Sequence, residues 1–396
     1  MTSYDTAVIG GGLLGCATAW HLARAGNRVL LVEKDQVNRH ASGQNAGSLH
    51  FQLEFRMVEH GDDAARAAAR ALPLHLDAMR AWATVEDELG ERCGVSRTGG
   101  LMLAETPAEI VVLDRKAALE REYGLDVAVL SGPELRRFAP YLADTVLAAG
   151  HVPGEGKANP RLVTPALARA AGRYGAVLRT GCRVTGLHRR GRHWELRTGT
   201  GPGDTAGETH LADTVVLAGG VWTAELAAMA DVRLPVFPVG LTMSATARSR
   251  PFLPHLIQHV GRRLSMKQTE DGNVLIGGGW PAKLVSRAGQ VDLETNPELR
   301  YESLVGNAAA AARVVPAVFD LPVIRTWTGM TTLTPDQLPL LGAVPRRPGL
   351  FVATGGSAFT LGLTYARLLA GMVVTGETDR SIEDYSPSRF GALNFV

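Results

Sequence analysis

The sequence predicts an α/β chain in which a Rossmann-like nucleotide-binding domain is interleaved with a second domain built on a mainly antiparallel sheet. Three observations predict it. Residues 4–33 read as strand, glycine turn, helix and strand. Between about 234 and 323 the texture changes to prolines and alternating β segments around the polar turn Glu270-Asp271-Gly272-Asn273. The chain then returns to an apolar run, Leu350-Phe351-Val352-Ala353-Thr354, that ends in Gly355-Gly356. The expected division is 1–84, 146–222 and 325–396 for the nucleotide domain, and 85–145 and 223–324 for the second.

In the first stretch Ala7-Val8-Ile9 is a strand, and Gly10, Gly12 and Gly15 complete a G-x-G-x-x-G turn through Leu13 and Leu14. Each glycine has its own duty: the tight turn, close approach of a pyrophosphate to the backbone, and close packing of helix on strand. The helix that follows presents free N–H groups and a positive dipole end to an anion. After Gly26-Asn27 a second apolar strand closes at Glu33, next to Lys34. An acid there accepts hydrogen bonds from a ribose 2′-hydroxyl, which favours FAD or NAD over NADP. The loop Ser42-Gly43-Gln44-Asn45-Ala46-Gly47-Ser48 then appears where an NAD protein would continue with further βα units. Small, hydrogen-bonding residues suit a cofactor extended past its pyrophosphate, and so FAD. The alternative is a polar surface loop capped at Ser42.

Residues 57–89 are alanine-rich and read as helix, interrupted or kinked at Pro73. A turn at Gly99-Gly100 enters a strand, and a helix spans about 107–123. Ser131 and Glu134 have capping-box spacing. Residues 154–160 form a loop, and a helix starts near Thr164 with Pro165 at its first position. Short strands follow at 176–179 and 182–187, with a hairpin around Trp194. The run Thr214-Val215-Val216-Leu217 ends at Ala218-Gly219-Gly220, as a parallel strand does where its carboxyl edge meets a cofactor. In the second domain, 241–246 and 274–277 alternate like antiparallel strands. The last helix, 359–374, again directs its N-terminus toward the cofactor.

Composition narrows the function. The chain has 396 residues, 45% apolar and 20% charged, and its net charge of +2 gives no electrostatic reason for nucleic acid or an anionic membrane. Cys16, Cys93 and Cys182 form no C-x-x-C, so neither a metal site nor a disulfide framework is expected. The apolar start lacks a basic leader and no apolar run of about 18 residues is read, which makes reduced cytoplasm the expected location.

Taken together, the nucleotide turn with Glu33, the 154–160 loop before a helix, 215–220, and above all Trp327-Thr328-Gly329-Met330-Thr331-Thr332-Leu333-Thr334-Pro335-Asp336 leading to 349–356, resemble the FAD-dependent amine and amino-acid oxidoreductases. That family includes D-amino acid oxidase, glycine oxidase and sarcosine oxidase. Within it, 42–48 and 275–281 look most like flavin subunits of heteromeric dehydrogenases such as hydrogen cyanide synthase, the opine oxidases and D-hydroxyproline dehydrogenase. The resemblance implies an FAD-binding domain and a substrate domain with the flavin between them. By position it implies Gly10, Gly12, Leu13, Leu14 and Gly15 at the pyrophosphate, Glu33 and Lys34 at the adenosine, and 42–48 along the ribityl chain. It further implies Val184 at the adenine side, Ala218 and Gly219 at the strand end, and Gly355, Gly356, Phe359, Thr360, Leu361 and Gly362 near the flavin.

Departures from the family pattern matter equally. No Cys follows Cys182, and Asn45 stands where histidine-linked relatives carry their attachment, which implies noncovalent FAD. The arginine that many members place after Trp-x-Gly to clamp a substrate carboxylate is replaced by Met330-Thr331. The strand that carries an oxygen-activating Lys reads Val274-Leu275-Ile276. Hydride transfer from an amine to flavin N5 needs alignment more than a base, so no obligatory catalytic residue is named. The substrate candidates are His50, Gln52, Lys267, Gln268, Trp280 and Thr332. For His50 the alternative is a structural hydrogen bond, for Lys267 a solvated surface charge, and for Trp280 a core position. Arg325 reads as an ion-pair partner, and Arg262-Arg263 as a subunit contact or solvated pair. These features imply a dehydrogenase acting on an amino or imino acid, with further subunits or an electron acceptor as partner. The alternatives are a self-sufficient oxidase that makes hydrogen peroxide and a noncatalytic flavin-binding subunit.

Overall fold

The computed structural model describes residues 2–199 and 207–393; Met1, 200–206 and 394–396, which fall within the nucleotide-domain segments, lie outside it. Val29–Val32 is buried at all four positions, as a strand covered on both faces must be. It lies parallel to Thr2–Ile9, which pairs on its other side with Thr209–Leu217; Leu350–Thr354 extends the sheet in the same direction. Val177–Arg179 closes one edge and the antiparallel Leu340–Ala343 the other. Five parallel strands therefore deliver their carboxyl ends to one edge, where ligands of such sheets bind.

Helix Leu13–Arg24 packs between Ala358–Thr375 and Pro160–Arg173. A side chain at Gly362 would meet Leu13 Cδ2 at 2.4 Å, so the contact between the first and last of these helices depends on Gly362 being bare. Ala358–Thr375, expected as an apolar helix over 359–374, is by length and composition apolar enough to cross a membrane, although no such run was expected. Here it is a core helix: it packs on Leu72–Leu89 as well, and the indole N–H of Trp82 donates to the Thr360 carbonyl at 2.7 Å.

Helix boundaries refine or depart from expectation at three places. The 57–89 region is interrupted rather than kinked: it forms Phe55–Val58, Asp62–Ala69 and Leu72–Leu89, with Pro73 in the first turn of the third, where its missing N–H costs nothing. The helix assigned to Pro165 starts one turn earlier at Pro160, capped by the Asn159 side chain, and Pro165 lies inside it. A short helix does start after Ser131, at Gly132, but the Ser131 side chain makes no cap bond. A capping box forms instead between Thr106 and Glu109.

The second sheet runs Val323–Leu333, Phe237–Arg248, Asn273–Gly277, Ser265–Gln268, Leu256–His259, Gly100–Ala104, Ala148–Val152, Ala128–Ser131. Every pairing is antiparallel except Leu256–His259 with Gly100–Ala104. By hydrogen bonding, Ala148–Val152 and most of Val323–Leu333, which the sequence reading grouped with the nucleotide domain, belong to this sheet. Helix Tyr301–Val314 covers one face, closing a core with Leu101, Ile257, Met266 and Ile276. The other face is turned toward the nucleotide domain.

Burial pushes the rings of His21, His50 and His75 down from 6.5 to about 4. Between those values the unfolded chain binds more protons than the folded one. The stability these groups contribute is therefore present above pH 6.5 and lost as pH falls toward 4, by about 3 kcal/mol for each group. Urea midpoints are expected to drop steeply across this window. His75→Gln, which keeps a donor for the Phe51 carbonyl now 3.2 Å from Nδ1, should flatten the drop; an unchanged slope would show that His75 is not proton-linked.

Candidate functional site

A cavity of about 570 Å³ starts at the strand ends of the first sheet and continues to the inner face of the second. Its nucleotide end is made by Gly10, Gly11, Gly12 and Leu14 after the first strand, Glu33 and Lys34 after the second, Val184, and Ala218 and Gly219 after Thr209–Leu217. The turn must be bare on this side: a Cβ on Gly11 would meet the Glu33 side chain at 2.9 Å, and one on Gly12 would meet Ser42 Oγ at 2.9 Å. Ser42 Oγ also accepts the Leu13 N–H at 2.9 Å, which ties the second loop to the helix start. The Glu33 carboxylate accepts the N–H groups of Gly11 and Asp35 at 2.6 and 2.8 Å, and each oxygen retains a further lone pair.

The middle of the cavity is walled by Ser42, Gln44, Asn45, Ala46, Gly47 and Ser48, and by Gly355, Phe359 and Thr360 at the start of the last helix. Trp327 donates to the Gln44 carbonyl at 2.8 Å and so joins the late motif to this loop. Several expected cofactor residues do not reach the cavity. Leu13 and Gly362 make the helix contact described above, and Leu361 is buried in the same core. Gly15 permits close packing, since a Cβ there would lie 1.9 Å from the Gly10 carbonyl oxygen. Gly43 and Gly356 sit tight against the backbone at Asn38 and Gln337.

At the far end stand His50 and Thr332 with Met243, Leu241 and Thr331. His50 Nε2 lies 3.0 Å from Ser265 Oγ, while its buried Nδ1 has no partner. Next to it, burial raises the Glu54 carboxyl, but Arg56, with help from His50 and His75, prevails and holds it at about 2. Arg56 bridges Glu54 Oε1 at 3.2 Å, Ser357 Oγ at 3.0 Å and Gln337 Oε1 at 2.8 Å.

The other substrate candidates lie elsewhere. Gln52 is fully buried and bonded to Glu155 and Lys116. Gln268 clamps a turn: its Oε1 accepts from Phe252 and Leu253, and its Nε2 donates to Ser249, Arg250 and Gly272. Lys267 is buried rather than solvated, contacts the Ala158 carbonyl at 3.4 Å, and is held well below the usual lysine range by burial and by Lys157. Trp280 lines a neighbouring groove, not the cavity, and Arg325 lies over Trp327.

Gln258, Arg263, Arg39 and Trp222 line the cavity without having been anticipated. Gln258 had a signal, a lone amide in the apolar run Leu256-Ile257-Gln258; the others had none beyond residue type. Glu33, Asp35 and His40 cluster as metal ligands do, but His40 Nε2 already meets Asp35 Oδ2 at 2.6 Å and Lys34 pairs with the same oxygen at 2.7 Å. A glycine cradle, an anion-ready helix start and the unpartnered Ser48 Oγ and His50 Nδ1 along one cavity fit an extended dinucleotide with room beyond it.

Comparison with known proteins agrees with this geometry. The family described as "DAO: FAD dependent oxidoreductase" matches residues 5–372. The chain is 29% identical to glycine oxidase of Geobacillus kaustophilus, over 98% of this chain and 97% of the relative. It is 27% identical to an opine oxidase subunit of Rhizobium meliloti, over 99% of each. The crystal structure of the Geobacillus glycine oxidase superposes with a TM-score of 0.84 over 98% of this chain and 99% of that one, at 27% identity. On the strength of a family match that spans the nucleotide turn, the second sheet and the last helix alike, this chain belongs to the DAO family and is a FAD-dependent oxidoreductase.

Proposed function

We propose that the chain oxidises an amino or imino acid at a C–N bond, and that it works as a dehydrogenase passing electrons to a partner subunit or soluble acceptor. The observation that carries this reading is the continuous cavity that joins the nucleotide turn to the inner face of the second sheet. Gly10, Gly11 and Gly12 with the start of Leu13–Arg24 would hold the pyrophosphate, Glu33 the ribose, and Val184 the adenine side. Residues 42–48 would follow the ribityl chain, with Gly355, Phe359 and Thr360 near the ring and no covalent link. When bound, FAD supplies a two-electron acceptor at N5 for hydride from the carbon next to nitrogen.

The protein's own part is positioning and exclusion of water. Leu241 and Met243 present apolar surface to the substrate, and Thr332 a hydroxyl. His50, pushed to about 4 by burial, is neutral at physiological pH and would not repel a cationic amine. Depending on tautomer, its free Nδ1 offers the substrate a hydrogen-bond acceptor or donor. The dehydrogenase reading is supported by the substrate half of the cavity, where no lysine lines the wall among the described residues. The opine oxidase relative is named as a subunit, which supports a heteromeric partner. The glycine oxidase relative gives the runner-up, a self-sufficient oxidase.

The test is anaerobic flavin absorbance during titration with D- and L-proline, hydroxyproline, glycine, sarcosine and common D-amino acids, followed by air. Bleaching that persists in air and reverses with an artificial acceptor is the expected result. Rapid recolouring with peroxide would replace dehydrogenase by oxidase, and no bleaching by any member would count against amino- and imino-acid oxidation.

A further inference from the structure

We infer that Arg263 and Gln258 form the carboxylate-recognition pair of this site, taking the place of the clamp missing after Trp327. The inference rests on the reading of the cavity as a site for amino- or imino-acid oxidation and names the group by which such a substrate is held. Leu256–His259 and Ser265–Gln268 pair antiparallel, with Gln258 opposite Ser265 and Ile257 opposite Met266. Directly paired residues share a face of the sheet. Ile257 and Met266 point into the core under Tyr301–Val314. Gln258 and Ser265 therefore point the other way, where Ser265 Oγ meets His50 Nε2 at 3.0 Å. Gln258 is 3% exposed and lines the cavity, yet its Nε2 has no hydrogen-bond partner. A buried amide donor left unpaired carries a desolvation cost that a bound acceptor would relieve.

Arg263 stands two residues before Ser265, in the turn between the same strands, and lines both the cavity and the adjoining groove. Its guanidinium has no hydrogen bond or ion pair among the described residues. The other cations of the wall are mostly engaged: Arg56 with Glu54, Lys34 with Asp35 and Glu294, Arg183 with Glu294. Arg262, beside it, is paired with Glu105. Arg39 also lacks a side-chain partner among the described residues, but it belongs to the nucleotide end, beside His40. Glu59, an acid on the same wall, lies 3.8 Å from His60. The substrate half thus holds one uncommitted guanidinium fork, one uncommitted amide donor and a neutral imidazole nitrogen. A guanidinium fork matches a carboxylate in both charge and shape, and the amide adds a third donor. The ligand this selects is an amine or imine bearing a free carboxylate, with its nitrogen toward His50.

The test compares benzoate with benzamide, a neutral analogue of the same shape, binding to the flavin-loaded protein as read by perturbation of the flavin spectrum. In R263M, benzoate is expected to weaken on the order of 10- to 100-fold, the size of a lost charge-assisted hydrogen bond, with benzamide unchanged. R263K should recover part of the loss, and Q258L should weaken benzoate further. Flavin content should not change in R263M, since Arg263 is exposed, and R325M, away from the cavity, should leave both ligands unaffected. Benzoate binding that ignores R263M, an equal loss of benzamide, or no benzoate binding to the parent protein would overturn the inference. Its failure is separable from that of the oxidation reading. If amino acids bleach the parent and R263M at the same half-saturation, the carboxylate pair falls alone. If none bleaches while benzoate follows the expected pattern, oxidation falls and the pair stands.

Discussion

Gly10→Ala is expected to yield a protein that retains no flavin and has lost on the order of 3 kcal/mol or more of stability. Gly10 has φ +119°, a region closed to L side chains, and a Cβ there would sit 2.4 Å from the Ala218 carbonyl oxygen and 2.8 Å from its carbon. Both atoms are backbone at the carboxyl end of Thr209–Leu217, so no rotamer change relieves the clash. Either the turn flips or the two central strands separate at the edge where the cavity begins. Gly26→Ala provides the control: its φ is also positive, +88°, but nothing lies within 4 Å of the added carbon. It should cost only the backbone strain, about 1 kcal/mol, with flavin retained. Thermal melts and flavin-to-protein absorbance ratios measure both. Equal behaviour of the two variants would show that strain, not the approach of the Ala218 backbone, governs the position.

The contrast between these glycines also shows what the sequence could tell. The nucleotide turn was legible because its parts, strand, turn, helix and Glu33, lie in one short stretch, even though the nearest neighbours of Gly10 and Gly12, Ala218 and Ser42, come from outside it. The substrate half was much less so, because it assembles His50, Gln258, Arg263 and Thr332 from separate segments. There the parity of a strand decides which side chains face the cavity. Gln268 and Ser265 share one short strand, yet Ser265 reaches His50 while Gln268 folds back on its own turn. Polarity alone suggested Gln52 and Gln268 as substrate contacts, when both instead satisfy buried backbone or carboxylate groups. Hydrogen bonding to distant chain likewise decided that Ala148–Val152 and Val323–Leu333 join the second sheet. Pro165 was misplaced for a smaller reason: proline restricts a helix start without saying which turn it occupies, as Pro160 and Asn159 show.

Glu155→Leu should be the other severe loss, about 3–5 kcal/mol, from a residue that never touches the cavity. Glu155 Oε1 accepts the backbone N–H groups of Phe51 and Gln52 at 2.6 and 2.9 Å, and Oε2 accepts Gln52 Nε2 at 2.8 Å. Glu120 takes the next N–H, that of Leu53, at 2.6 Å, and Lys116 links Gln52 Oε1 to Glu120. Three consecutive backbone donors outside any strand are thus held by two buried carboxylates. Leucine would orphan two of them and the Gln52 amide. Because His50 and Glu54 flank this segment, the damage should reach the site as weaker binding of carboxylate ligands. Glu155→Gln keeps the shape and one acceptor but sets an amide donor against Gln52 Nε2, so an intermediate loss of about 1–3 kcal/mol is expected. Burial pushes the Glu155 carboxyl up from 4.5 to about 7 despite the donors around it. The folded chain then holds more protons than the unfolded one between these values. The stability gained from this group is full below pH 4.5 and lost as pH rises through 7, opposite in sense to the buried histidines. Glutamine cannot titrate, so its deficit relative to the parent should shrink from about pH 5 to about pH 8 in urea melts. A deficit that stays constant over that interval would mean that the three N–H donors outweigh burial and that Glu155 is charged throughout.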